Sequence, residues 1–217
     1  MKVKVTPSKV HGNVKIPASK SMAHRALICA SLSDGTSIVS NVTNSNDIEA
    51  TVDCMKALGA KIKQIDETTY EVTGTNLFKQ EGNITCNANE SGSTLRFLIP
   101  LAACTNAKVK FLGQGRLLQR PMDVYANEFK KQNIEFKQSN QEIIVSGNLK
   151  AKDYVVQGDI SSQFITGFMF VLPLLDQDST LTITEPYESK SYVNLTIQML
   201  AKFGIEILET SSNSYLI

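Results

Sequence analysis

Three stretches of the chain read as one pattern: DIEATVDCMKALGAKIKQIDETTYEVTG (Asp47–Gly74), MDVYANEFKKQNIEFKQSNQEIIVSG (Met122–Gly147) and YVNLTIQMLAKFGIEILETSSNSYLI (Tyr192–Ile217). Each runs helix, stop, strand, polar turn, strand. The stops fall at Gly59, Asn133 and Gly204, 74 and 71 residues apart, a period that marks a repeated supersecondary unit. Glycine closes a helix because it enters the left-handed region without a Cβ clash. Asn is the commonest other residue there, so Asn133 keeps the register. The strands after the stops alternate, as in Lys61, Ile62, Lys63, Gln64, Ile65 and in Ile134, Glu135, Phe136, Lys137, which predicts one wet face for each.

Each copy is preceded by a second shared element: a Ser-rich start, an apolar helix, a short polar turn and a strand. These are SKSMAHRALICASLSDGTSIVSNV from Ser19, ESGSTLRFLIPLAACTNAKVKFLG from Glu90 and DISSQFITGFMFVLPLLDQDSTLTITEP from Asp159. The helices are apolar nearly all round, which places them inside rather than on the surface. The fold class is therefore α/β (α+β): three βαβαββ repeats with pseudo-threefold symmetry, at about 17–84, 85–155 and 156–217, with buried helices near the axis and mixed sheets outside. The third copy runs out at Tyr215, Leu216, Ile217, and this reads as a cut between domains.

The bulk numbers agree with a globular chain. Of 217 residues 42% are apolar and 20% charged, and 22 basic against 21 acidic residues give a net charge of +1. No global basic field exists to bind nucleic acid, so any anion site is local. Cys29, Cys54, Cys86 and Cys104 form no CxxC pair and have only two histidines to help them, which argues against zinc and for reduced, buried thiols in a cytoplasmic protein. The start, MKVKVTPSKVHGNVKI, alternates like a strand and has no apolar signal-peptide core. The longest apolar stretch, Phe164 to Leu175, is broken by Thr166, Gly167 and Pro173 and is shorter than the ~20 residues that span a bilayer. It reads as a buried helix, with no membrane partner.

Chemistry-bearing residues gather at the starts of the three apolar helices: Ser19 and Ser21; Ser91 and Ser93 around Gly92; Ser161 and Ser162. Capping accounts for one serine per cluster. Clusters repeated in a threefold unit would also bring several helix N-termini together, with free N–H groups suited to phosphate or carboxylate. Lys20, Arg25, Arg96, Arg116, Arg120 and Lys190 accompany them. A lone cation is ordinarily a solvated surface residue, but Lys20, Arg25 and Arg96 lie on helices too apolar to be exposed. Their charges need acidic partners or an anionic ligand. A P-loop would need glycine where Ser19 stands, and GQGRLLQR lacks the third glycine of a dinucleotide fingerprint. His11 and His24 belong to no nucleophile motif, and His24 among apolar neighbours reads as a packing or hydrogen-bonding residue. ATP, NAD and metal are set aside.

The same segments resemble the signatures of the 5-enolpyruvylshikimate-3-phosphate (EPSP) synthases. PASKSMAHRALICASLSDGTS is similar to the family's opening motif and NESGSTLRFLIPLAA to its glycine segment closed by Arg. LLQRPM, GDISSQFITG and ESKSYVNLTIQML follow in the family's order, so the resemblance covers the whole chain. It implies the enolpyruvyl transferase fold and transfer of enolpyruvyl from phosphoenolpyruvate to the 5-hydroxyl of shikimate 3-phosphate, without a cofactor. By matching motifs, Ser21, Arg25, Ser161, Ser162, Gln163, Ser189 and Tyr192 would contact shikimate 3-phosphate. Lys20, Gly92 and Arg120 would face phosphoenolpyruvate, with Lys20 also in proton transfer and Gln163 touching both ligands. Glyphosate would take the phosphoenolpyruvate position, where Gly92 leaves room; Ser93, Thr94 and Leu95 depart from the commonest family pattern.

The family's chain is about twice as long. The resemblance therefore implies an N-terminal half that folds as a monomer but is inert alone, with 17–217 forming one domain and the strand at 1–16 belonging to the missing C-terminal domain. The sister UDP-N-acetylglucosamine enolpyruvyl transferases have Lys-Asn at the first motif and a reactive cysteine on a loop, where this chain has Ser21, Gln119 and Arg120. RNA terminal phosphate cyclases share the repeat but lack the motif set. A non-catalytic anion-binding module on the same fold is the remaining alternative.

Overall fold

A computed structural model describes residues 2–9, 11–14 and 16–217 of the chain. The first unit comprises α1 (Lys20–Leu32), β1 (Thr36–Val39), α2 (Asn46–Ala57), β2 (Lys61–Asp66) and β3 (Thr69–Thr73). The second runs β4 (Glu81–Asn87), α3 (Gly92–Ala102), β5 (Asn106–Leu112), α4 (Asp123–Lys131), β6 (Glu135–Gln138) and β7 (Ile143–Ser146). The third repeats it as β8 (Tyr154–Gln157), α5 (Ser162–Val171), β9 (Thr180–Thr184), α6 (Lys190–Lys202), β10 (Leu208–Ser211) and β11 (Ser214–Leu216). β4 and β8 begin at Glu81 and Tyr154, so they straddle the repeat boundaries expected at 84/85 and 155/156.

Each unit builds its own sheet. The orders are β4-β5-β7-β6 and β8-β9-β11-β10, with β4 parallel to β5, β8 parallel to β9 and the other pairs antiparallel. Among the described residues the first sheet, β1-β3-β2, has the same order minus a leading strand. Residues 2–9, 11–14 and 16 are exposed and in neither helix nor strand, and the pairing expected of 1–16 is with a domain outside this chain; residues 1, 10 and 15 lie outside the described residues. Alternation alone does not make a strand, because its backbone groups also need a partner edge.

The helix stops behave as their side chains dictate. Gly59, Asn133 and Gly204 take φ of +103°, +57° and +80°. The wet-face expectation holds along β2: Ile62 is buried, while Lys61, Lys63 and Ile65, which alternation places on one face, are exposed. The Ser-led helices α1, α3 and α5 form the interior. Leu27 and Ile28, Leu98 and Ile99, and Phe164 and Phe168 are all fully buried, each worth roughly 1.5–3 kcal/mol of apolar transfer. α3 and α5 approach closely at Gly167, where a Cβ would lie 2.7 Å from the Arg96 carbonyl and 2.1 Å from Tyr125 Oη. Tyr125 uses that hydroxyl to donate to the carbonyls of Arg96 and Phe164, at 2.7 and 3.2 Å, tying α4 to both helices.

The apolar stretch from Phe164 is the buried α5 followed by a 3-10 turn, Leu172–Leu174. No helix among the described residues is long and apolar enough to cross a membrane. All four cysteines are free and buried, and burial pushes the Cys29 and Cys104 thiols up to about 12.

Candidate anion site

The serine clusters divide their labour. Ser19, Ser91 and Ser161 are the N-caps of α1, α3 and α5, their hydroxyls accepting from the amides of Met22, Thr94 and Gln163 at 3.4, 3.2 and 3.3 Å. The second hydroxyls, Ser21, Ser93 and Ser162, line an open cavity of about 490 Å³, and the cap Ser161 reaches it too. Ser189 joins them from the start of α6. Its φ of +57° is uncommon for a residue with a Cβ, and its side chain makes no capping bond. The wall thus combines serine hydroxyls with the positive ends of helices.

Arg25, Arg96 and Arg120 enter the same cavity, whose wall contains no Asp or Glu. Arg25 is buried and satisfied by neutral groups alone: Nε donates to Thr196 Oγ1 (2.8 Å), Nη1 to the Ser21 carbonyl (2.8 Å), and Nη2 to the Tyr192 carbonyl (3.0 Å) and Thr166 Oγ1 (3.4 Å). Its guanidinium also stacks 5.3 Å from the Phe97 ring. Burial lowers its pKa to about 10, so it stays cationic at neutral pH. Arg96 lies 4.9 Å over the Phe164 ring and donates Nη1 to Gln163 Oε1 at 2.8 Å, while its buried Nε has no partner. Burial lowers the Arg96 pKa as well, Tyr125 opposes that shift and Arg120 adds to it. Among the described residues none of the three arginines forms an ion pair. A buried cation and a half-buried one beside a third, with no counter-charge, make a site whose electrostatics are completed by an anion.

Eight of the ten residues expected from sequence line this cavity: Ser21, Arg25, Arg120, Ser161, Ser162, Gln163, Ser189 and Tyr192. Gly92 lies beneath it, since a Cβ there would fall 2.6 Å from Arg120 Nη1 and 3.8 Å from Gln163 Oε1. Lys20 is not in the wall. Ser21 and Arg25 share one face of α1 at a spacing of four, whereas Lys20, one residue earlier, points to the start of α2, where its Nζ meets Asp47 Oδ2 at 2.5 Å. Lys190 pairs with Glu209 at 2.6 Å outside the cavity. His24 is, as expected, a hydrogen-bonding core residue, with Nδ1 2.7 Å from Thr51 Oγ1 and a pKa lowered to about 4 by burial. The residues not assigned in advance are Ser93, Arg96, Phe97 and Ile160. Arg96 carried a signal, a cation on a buried helix; Ile160 carried none.

A family model described as EPSP synthase (3-phosphoshikimate 1-carboxyvinyltransferase) matches residues 5–217. The chain belongs to the EPSP synthase family. Proteins named 3-phosphoshikimate 1-carboxyvinyltransferase match this chain along its whole length: that of Clostridium perfringens SM101 is 47% identical over 218 residues, covering 100% of the chain and 51% of that protein. That of Clostridium kluyveri is 48% identical, covering 99% and 50%. The chain spans about half the length of the curated relatives it matches. An EPSP synthase structure from Acinetobacter baumannii superposes with a TM-score of 0.79 over 95% of this chain and 46% of that one, at 19% identity, which shows the shared fold. The resemblance carried by the motifs is thus matched at the level of the family and of the enolpyruvyl transferase architecture.

Proposed function

We propose that this EPSP synthase segment is the shikimate 3-phosphate-binding half of a 3-phosphoshikimate 1-carboxyvinyltransferase, acting in the cytoplasm as a monomer without a cofactor. The observation that carries the reading is the convergence of Arg25, Arg96 and Arg120 on a carboxylate-free cavity walled by serine hydroxyls. In this reading residues 17–217 are one domain, and the segment at 1–16 belongs with the second half.

Arg25, Ser21, Ser161, Ser162, Ser189 and Tyr192 hold the phosphorylated ring, with hydroxyls and helix ends taking the phosphate. Arg120 meets phosphoenolpyruvate over Gly92, where its planar fork suits a carboxylate or phosphate in two-point fashion. Gln163, already bonded to Arg96 and to Ser93 Oγ at 2.9 Å, stands between the two ligands and fixes their spacing. The 5-hydroxyl oxygen adds to C2 of phosphoenolpyruvate while a proton reaches C3. The tetrahedral adduct then loses inorganic phosphate and a C3 proton, which restores the vinyl group. Juxtaposing two dense anions is the costly step, and the arginines supply it by orientation and charge. Lys20, steered by Asp47 at the rim, serves proton transfer once the second half closes over the site.

Titrating the 15N-labelled chain with shikimate 3-phosphate tests the reading. Resonances of Ser21, Arg25, Ser161 and Tyr192 are expected to shift, and Arg25→Ala or Ser161→Ala to abolish the shifts; shifts that persist in both variants sink the assignment. With both substrates the chain alone is expected to release no phosphate, and adding the C-terminal half of a close relative to restore release. Turnover by the chain alone overturns the half-site reading. UDP-N-acetylglucosamine is expected to leave the spectrum unchanged.

A further inference from the structure

A buried chain of polar side chains runs beside the anion site without entering it. His24 Nδ1 lies 2.7 Å from Thr51 Oγ1, Thr51 Oγ1 lies 2.7 Å from Thr94 Oγ1, and Thr94 Oγ1 lies 2.7 Å from Ser91 Oγ. None of these residues is more than 2% exposed, and none lines the cavity. The chain crosses from α1 to α2 to α3: His24 belongs to the first, Thr51 to the second, Thr94 to the third, and Ser91 caps that third helix. A threonine inside a helix ordinarily bonds to its own preceding turn. Thr51 does so only at 3.3 Å, to the Asp47 carbonyl, and its shorter bonds leave the helix. Thr94 reaches that same carbonyl at 3.3 Å across 47 positions. Among the described residues, the hydrogen bonds of the Thr94 hydroxyl are the only ones that join α2 to α3.

The chain also has a direction. Burial keeps His24 neutral at pH 7, so its ring carries one proton. Its Nε2 has no partner, and an unpaired acceptor is tolerated in protein interiors more often than an unpaired N–H. The proton therefore sits on Nδ1 and points at Thr51. The hydroxyls follow in series, Thr51 to Thr94 and Thr94 to Ser91, each polarising the next.

The threonine pair touches both parts of the phosphoenolpyruvate half-site. Asp47, whose carbonyl both hydroxyls reach, holds Lys20 with its side chain at 2.5 Å. Ser91 immediately precedes Gly92, over which Arg120 lies. We propose that Thr94 is a positioning residue for that half-site: its hydroxyl locks the start of α3, with Gly92, to the start of α2, with the Lys20–Asp47 pair. Thr94 touches no ligand. It sets the separation between the seat of Arg120 and the Lys20 ammonium, and a misplacement of ~1 Å remote from the chemistry can cost on the order of a hundredfold in rate. The identity of the ligand rests on the function proposed above; the link between the two helices does not.

Two variants separate the hydroxyl from the bulk around it. Thr94→Val keeps the shape and removes the hydroxyl, whereas Thr94→Ser keeps the hydroxyl and removes the methyl. In the 217-residue chain the Leu95 amide, bonded to the Ser91 carbonyl at 3.1 Å, reports on the start of α3. Its hydrogen exchange is expected to quicken about tenfold in Thr94→Val and to stay within about twofold of the parent in Thr94→Ser. In the chain reconstituted with the C-terminal half of the C. perfringens relative, Thr94→Val is expected to raise KM for phosphoenolpyruvate and to lower kcat, each about tenfold, with KM for shikimate 3-phosphate within about twofold. Thr94→Ser is expected to recover both. Unchanged exchange at Leu95 in Thr94→Val overturns the inference. So do equal effects on the two KM values, or a Thr94→Ser variant worse than Thr94→Val, either of which reduces Thr94 to packing. If Thr94→Val does not fold, Thr51→Val cuts the chain one link further away; about a threefold rise confined to KM for phosphoenolpyruvate is then expected, and its absence overturns the inference. A reconstituted parent without turnover refutes the half-site reading instead, and the exchange comparison still decides whether Thr94 holds the two helix starts together.

Discussion

Arg120 stands where a side chain on Gly92 would have to go: its Nη1 is 2.6 Å from the position of a Cβ that Gly92 lacks. Gly92 opens α3 and its φ is not positive, so space rather than backbone conformation is what reserves the position for glycine. Arg120 is exposed at the end of the 3-10 turn Leu117–Gln119 and can swing aside. Gly92→Ala is therefore expected to leave stability within about 0.5 kcal/mol of the parent, as for an ordinary surface change. It is expected to weaken phosphoenolpyruvate binding in the reconstituted protein roughly tenfold or more, the equivalent of one charge-assisted hydrogen bond of about 1.5–3 kcal/mol. Calorimetric titration checks both parts; unaltered affinity would remove Arg120 from the ligand.

Arg25 presents a buried cation that only neutral groups satisfy, so an anion in the cavity should stabilise the fold. A ligand present at 100 times its Kd is expected to add about 2.7 kcal/mol, read as a rise in thermal midpoint. Phosphate or shikimate 3-phosphate should raise the midpoint where chloride at equal ionic strength does not. Arg25→Ala should abolish the rise. It should also lower basal stability by roughly 1–3 kcal/mol, because the Ser21 and Tyr192 carbonyls lose their donor.

Gly167 lets α5 meet α3 and the Tyr125 hydroxyl at distances no Cβ tolerates. Gly167→Ala is expected to cost 1–3 kcal/mol or somewhat more by overpacking, despite the better helix propensity of alanine, and to weaken anion binding by shifting Arg96 off Phe164 and Gln163. Denaturant unfolding reads the first effect and phosphate titration the second. A stabilised variant would mean that the helices slide apart freely.

His24 is 2% exposed, and its folded pKa of about 4 lies below the usual 6.5. Burial is the main cause, and Lys20 and Arg25 add to it against the opposing Asp47. Above pH 6.5 the ring is neutral in both folded and unfolded chains and has no effect on the pH slope. As pH falls from 6.5 towards 4 the unfolded chain takes up the proton and the folded one does not, so stability declines across that window by about 3 kcal/mol. His24→Gln should flatten this part of the pH–stability curve measured by denaturant titration. An unchanged slope would place the acid sensitivity elsewhere.

Much of the fold was legible because it is settled within a turn or two of chain. A helix stop at Gly59, Asn133 or Gly204 depends on one residue's access to the left-handed region, and a cap at Ser19, Ser91 or Ser161 on one hydroxyl and a nearby amide. Those local devices, spaced alike three times, determined the repeat and the buried helices, and with them most of the cavity's residues. Only the tertiary structure decided how side chains meet across units. Arg96 reaches Gln163 over 67 positions and Arg25 reaches Thr196 over 171, pairings with no local signature. It also turned Lys20 to Asp47 instead of the cavity and, among the described residues, left the first sheet without a leading strand. Propensity and periodicity act along the chain, whereas charge pairing and strand pairing depend on which surfaces packing brings into reach.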